Sequence, residues 1–220
     1  MDAALDLARA DRRLTAFLDS ILARAAELSG EHLAWRPGCA ECCAGPFPIT
    51  QLDALRLRLG LRELAASDPA RAERLEARAR DSARRLSADF PGDLERGILS
   101  SSEADSESFF ARHETLACPA LDPASGRCEL YAFRPVSCRT FGPPVRIEVV
   151  PLPPCRLCFT QASGPQIESS RVEVDCVRLE EPPLERLAAK TGLTGETLIA
   201  FALAGDTRTE VGSHPGSGVP

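Results

Sequence analysis

Apolar residues recur at three- and four-residue spacing near the start of the chain. Leu14, Phe17, Leu18, Ile21, Leu22, Ala25 and Leu28 form one stripe, and Gly30 follows as a stop. The spacing predicts an amphipathic helix over 3–29. Residues 31–49 lose the pattern and carry three prolines and two glycines, which predicts a loop. Periodicity returns at Thr50. Thr50-Gln51-Leu52-Asp53 reads as a capping box, with Leu52, Leu55, Leu59 and Leu64 as the stripe of a helix reaching about Ala66. Ser67-Asp68-Pro69 then supplies a new N-cap and a first-turn proline. The helix that follows reaches about Ala88, with Ala72, Leu75, Ala79 and Leu86 on one face. Its other faces carry Arg71, Glu73, Arg74, Glu76, Arg78, Arg80 and Asp81, the pattern of a solvated surface.

Beyond Phe90-Pro91-Gly92-Asp93 the signals are shorter. Residues 100–108, small, polar and acidic, predict a mobile surface loop. Asp122 to Gly126 is a tight turn between short strands, with Cys128 to Tyr131 as the second strand, and Pro135 opens a helical turn carrying Cys138. Val145 to Val150 alternates like a strand, and Val172-Glu173-Val174 is its candidate partner. Pro182-Pro183 leads into a helix to about Lys190 that Gly192 ends. Thr194 caps a last apolar helix, and 205–220, including His214, reads as a disordered tail. The fold class expected is mainly α: a helical scaffold with a small irregular cysteine-rich region and a few short β-strands. One domain spans 1–204, with the helical hairpin at about 50–88 inserted in it.

Composition narrows the function. Hydrophobic residues make up 44% of the 220, enough for a core, while aromatics are only 5%. The net charge of −6 argues against sequence-independent nucleic-acid binding, which needs a basic surface. The basic residues are nearly all arginine, with Lys190 the single lysine, and they are dispersed along amphipathic segments. The first residues lack the pattern of a secretory signal. No run reaches the ~18 apolar residues that span a membrane. The expected setting is therefore the cytoplasm, without a membrane or nucleic-acid partner; a protein partner is left open. Thiols stay reduced there, so nine cysteines point to metal or redox chemistry before disulfides.

Eight of the nine fall in three clusters. Cys39, Cys42 and Cys43 form the first, Cys118, Cys128 and Cys138 the second, and Cys155 and Cys158 a further C-x-x-C. Cysteines two residues apart can turn back on one tetrahedral ion, and two such knuckles are a strong metal signal. Adjacent side chains diverge, so Cys42 and Cys43 are expected to serve two centres, or different irons of one cluster. Eight thiolates would fill two four-cysteine sites, and one [4Fe–4S] cluster would use four; the count does not choose. Arg134 and Arg139 flank Cys138 and are the candidates to offset thiolate charge. His32 reads as a solvated or core-edge histidine, and Cys176, within VEVDCVRL, as a buried small hydrophobe.

Cys118-Pro119, Gly126-Arg127-Cys128, Tyr131, Arg134-Pro135 and Cys138-Arg139 resemble the C-terminal motif of the C-x-x-C-x-x-C-C cysteine-cluster family of zinc- or iron-chelating domains, the YkgJ-like proteins. The flagellin lysine-methylase proteins share that motif, and for them an iron–sulfur cluster is implied. With the early cluster the resemblance organises residues 35–142. Arg36 and Trp35 stand where the family carries a further cysteine, and Cys155 and Cys158 are the candidates to replace it. The resemblance implies zinc or iron chelation by the cysteines within 35–142. With the Cys155/Cys158 knuckle added, the expectation is a metal-binding protein using all eight clustered cysteines, with a [4Fe–4S] cluster as one form of the iron. The alternative is an iron–sulfur-cluster enzyme or accessory protein acting in protein modification. No Gly-rich nucleotide loop and no Ser/His/Asp arrangement points to a catalytic role. Cycling of the C-x-x-C pairs to disulfides is a third option, without a thioredoxin-like context.

Overall fold

The computed structural model describes residues 2–34 and 39–204, so Trp35, Arg36, the tail from 205 and its His214 lie outside the described residues. The chain is mainly α. Helix α1 (Asp2–Ser29) buries Leu7, Leu14, Leu18, Leu22 and Ala25, while Leu28 turns out to solvent at 39% exposure. The next segment returns as strand β1 (Pro48–Ile49) and runs into α2 (Gln51–Ser67), where the Thr50 hydroxyl accepts the Asp53 N–H at 3.2 Å. Helix α3 (Pro69–Leu86) starts on the Asp68 carboxylate, which accepts the Arg71 N–H at 3.0 Å.

The expected single stripe on α2 is replaced by a two-sided helix. Leu52 joins a core with α1, while Ala54, Leu57 and Leu61 join a second core with Leu75 and Ala79 of α3. Leu59, expected in the stripe, is 38% exposed. A helix with apolar surface on both sides shows no clean period, which is why the pattern misled.

Strands β2 (Gly92–Asp93) and β3 (Ile98–Leu99) form a small hairpin. The expected mobile loop at 100–108 is instead the start of α4 (Glu103–Arg112). Glu103 and Asp105 suit the positive end of its dipole, and fully buried Phe109 anchors it beside Leu86 and Leu198. Strands β4 (Leu121–Asp122) and β5 (Arg127–Cys128) flank the expected tight turn, but extended structure ends at Cys128 and Tyr131–Phe133 is a 3-10 turn. Helix α5 (Val136–Thr140) follows Pro135 and carries Cys138, as the proline signal predicts.

The alternating run 145–150 divides at Glu148, whose φ of 53° turns the chain from β6 (Val145–Ile147) into β7 (Val150–Leu152). After α6 (Gly164–Ser169), β8 (Val172–Val174) pairs in parallel with β6. Helix α7 (Val177–Thr191) starts ahead of its prolines rather than at them. Pro182 and Pro183 leave the carbonyls of Arg178 and Leu179 without helical donors. Both residues are exposed, so water can take the place of those bonds. The apolar C-terminal run begins as strand β9 (Thr197–Leu198), paired with β1, and only Ile199–Leu203 is helical (α8). The pairing pulls Thr197 and Leu198 into extended form, so Leu198 rather than Thr194 precedes the helix. No helix among the described residues is long and apolar enough to cross a membrane.

Candidate metal centre

All eight clustered cysteines line one open cavity of about 670 Å³. The nine cysteines are free thiols. Cys176, the ninth, is buried at 3% exposure among Leu14, Leu18 and Val174, where it packs as a small apolar side chain. His32 lies apart from the cavity lining, its ring stacked on Phe159 at 5.2 Å.

Backbone bonds join the first two clusters. The Cys118 N–H donates to the Cys43 carbonyl at 2.7 Å and the Gly45 N–H to the Leu116 carbonyl at 2.8 Å, a short antiparallel contact centred on Ala44 and Ala117. Cys42 and Cys43 close a 3-10 turn, Glu41–Cys43, and their thiols hydrogen-bond each other. The expected divergence of these neighbours is therefore overturned: the tight turn keeps both sulfurs at one cavity. That bond and the nearby Arg134 charge lower the Cys42 thiol to about 6, and the same bond raises Cys43. Burial pushes Cys118 up to about 12, and burial with the neighbouring thiols raises Cys138.

The charges fall into two groups. Cys42, Cys43, Cys118, Cys128 and Cys138 act on one another electrostatically, and we refer to them as the Cys118 group. Cys158 instead feels Cys155, to which its thiol is hydrogen-bonded, and Cys39.

Of the two arginines expected to offset thiolate charge, only Arg134 is seen to do so. Its guanidinium sits 3.6 Å over the Tyr131 ring and favours ionisation of Cys42, Cys128 and Cys138. Buried Arg139 is turned to other work: it pairs with Asp19 of α1 at 2.5 Å and donates to the carbonyls of Ala132 and Arg134. Those bonds hold α5 in place.

Two polar devices escape a pattern-based reading of the sequence. Arg56 of α2, 3% exposed, pairs with Asp11 of α1 and Asp53 of its own helix, each at 2.5 Å, and donates to the Arg134 carbonyl at 3.1 Å. Asp53 also accepts the Val136 N–H at 3.1 Å. A buried ion cluster thus fixes both ends of the Arg134-Pro135-Val136 step that leads to Cys138. The second device is Glu129, beside Cys128, whose side chain is 4% exposed. It takes Arg71 at 2.6 Å and also Arg78, and Arg78 donates to the Pro119 carbonyl at 3.0 Å. Part of the supposedly solvated face of α3 therefore clamps the β4–β5 hairpin. Arginines seven residues apart on one helix, with a carboxylate beside a candidate ligand, are the signal that could have marked it.

No three or more His, Cys, Asp or Glu side chains are gathered closely enough to hold a metal ion, among the described residues. The donor set nevertheless suits a thiophilic metal: eight cysteines on one cavity, one thiol already acidic and Arg134 to offset charge. Residues 36–149 match the model of the cysteine-cluster family C-x-x-C-x-x-C-C, described as "Putative zinc- or iron-chelating domain". The match includes Cys39 and the Cys118 group and ends before Cys155 and Cys158. No curated protein and no solved structure matches the chain.

Proposed function

We propose that this chain, which belongs to the C-x-x-C-x-x-C-C family of zinc- or iron-chelating domains, holds its metal through the eight cysteines that line one cavity. The observation that carries this is their convergence from three distant stretches of sequence. Apolar packing alone does not require so many thiols at an open cavity, and Cys176 illustrates the ordinary buried alternative. When bound, zinc would supply a tetrahedral cross-link between loops, and iron could additionally supply redox chemistry. The chain's own part is to present thiolates. Arg134 favours their ionisation, Arg56 and Asp53 fix the step before Cys138, and Glu129 docks the hairpin carrying Cys128. Nine free thiols suit a reducing compartment, and we place the protein in the cytoplasm. Thermal unfolding with and without a strong chelator tests the function. A lower midpoint after metal removal, restored by zinc or iron, is expected; equal midpoints and no bound metal would sink it.

One observation favours a second reading, an iron–sulfur-cluster enzyme or accessory protein acting in protein modification. The cavity, at about 670 Å³, is larger than a single ion needs, and Tyr131 and Phe141 on its wall are 63% and 48% exposed, leaving room for a further group. A brown, anaerobically purified protein whose visible absorbance fades on oxidation supports this reading. A colourless protein with tightly held zinc excludes it.

A further inference from the structure

Cys155 and Cys158 stand on a wall of their own. They pack with Phe159, Leu33 and Ala34, whereas Cys118, Cys128 and Cys138 border the core of α2, α3 and α8. The C-x-x-C run is folded as a knuckle, with the Cys158 N–H donating to the Cys155 carbonyl at 2.7 Å. The Ala34 N–H donates to the Cys158 sulfur across 3.4 Å, while burial holds that thiol above its ordinary value. Phe159 follows in the left-handed region at φ 58°, a strained conformation for a non-glycine residue. Burial, the His32 ring and a bond from its N–H to the His32 carbonyl at 2.8 Å hold it there. Arg156, inside the knuckle, pairs with Glu41 at 2.5 Å and so ties the knuckle to the loop that bears Cys39. Cys39 is thereby a neighbour of Cys158 even though its sequence partner Cys42 belongs to the Cys118 group.

We propose that Cys39, Cys155 and Cys158 form a second metal site, separate from the Cys118 group and built for a soft tetrahedral cation such as Zn²⁺. It rests on the metal-binding function above and divides that function between two centres. The first C-x-x-C is split across them, and the second site draws two of its three ligands from outside the family match. Three thiolates leave a fourth coordination position for water or an incoming thiolate, so this ion exchanges more readily than one held by four.

The test counts zinc. Metal-free, reduced protein is titrated with Zn²⁺ under anaerobic conditions, and bound zinc is measured by elemental analysis after desalting. About two equivalents are expected for the unaltered chain. Cys155→Ser/Cys158→Ser and, independently, Cys39→Ser should each retain one, with a cooperative unfolding transition preserved. Cys176→Ser should retain both. Full retention by the double variant or by Cys39→Ser overturns the site. Loss of all zinc from a chain that still unfolds cooperatively also overturns it, because that means one shared centre. If the double variant does not fold, the Cys39→Ser count decides. An unaltered chain that binds no zinc or iron at all overturns the underlying metal-binding function instead.

Discussion

The backbone N–H of Cys118 donates to the carbonyl of Cys43 across 2.7 Å. Through this bond the loop after α1 meets the segment after α4, with the whole α2–α3 hairpin lying between them in sequence. The two cysteine clusters are thus registered by main chain, so their sulfurs share a cavity before any metal is considered. The hairpin between them is part of the scaffold: α2 touches both hydrophobic cores, and α3 grips Glu129.

Gly60 tests how closely α2 must approach the ligand-bearing segment. A Cβ at this position would lie 2.4 Å from Phe133 Cγ and 2.9 Å from its Cβ, near the rigid stem of the ring. Alanine improves helix propensity by up to about 1 kcal/mol, but the overpacking costs about 1–3 kcal/mol. Gly60→Ala should lower stability by about 1–2 kcal/mol net in urea unfolding and weaken zinc binding, because Phe133 adjoins Arg134. Gly164→Ala, with open space around its Cβ, should be close to neutral.

Glu129 is buried, and each of its two arginine partners reaches solvent more than it does. Glu129→Ala should therefore cost about 2 kcal/mol, since it removes two charge-assisted bonds and frees the β4–β5 hairpin. Denaturant midpoints give the cost. Arg71→Ala alone should cost much less, because Arg78 keeps its bond. Equal losses for the two variants would contradict the clamp.

Cys42 should be the first thiol of the metal-free chain to react with iodoacetamide. Its value of about 6 means that thiolate, the reactive form, grows as pH rises and is half formed near that pH. Raised thiols such as Cys118, at about 12, remain protonated at neutral pH. Mass spectrometry after brief labelling should find Cys42 modified at least about tenfold faster than Cys118 at pH 7. Arg134→Gln should move the midpoint of the rate profile upward.

Much of this was legible from local pattern, and the exceptions share a cause. The stripe on α1, the Thr50 and Asp68 caps, the turn at Gly126 and the short helix after Pro135 all depend on neighbours in sequence. What escaped depends on distant partners. The two-sided burial of α2 hid its period, strand pairing with Pro48–Ile49 shortened the last helix, and Phe109 packing ordered a segment whose composition reads as a loop. At the site, cysteine spacing marked the donors, and the structure brings all eight to one cavity. The spacing could not reveal that Cys42 and Cys43 face the same way, that Cys39 neighbours Cys158, or that Arg139 braces α1 rather than serving the thiols.

The central claim is that these cysteines hold metal, and the most direct measurement is the metal content of protein purified without oxygen, with its absorbance spectrum. At least about one zinc or iron per chain is predicted, with the share held by the Cys118 group lost from a Cys118→Ser/Cys138→Ser variant that still folds. A folded, unaltered chain with no bound zinc or iron, whose cysteine variants differ from it in no way, would contradict the account.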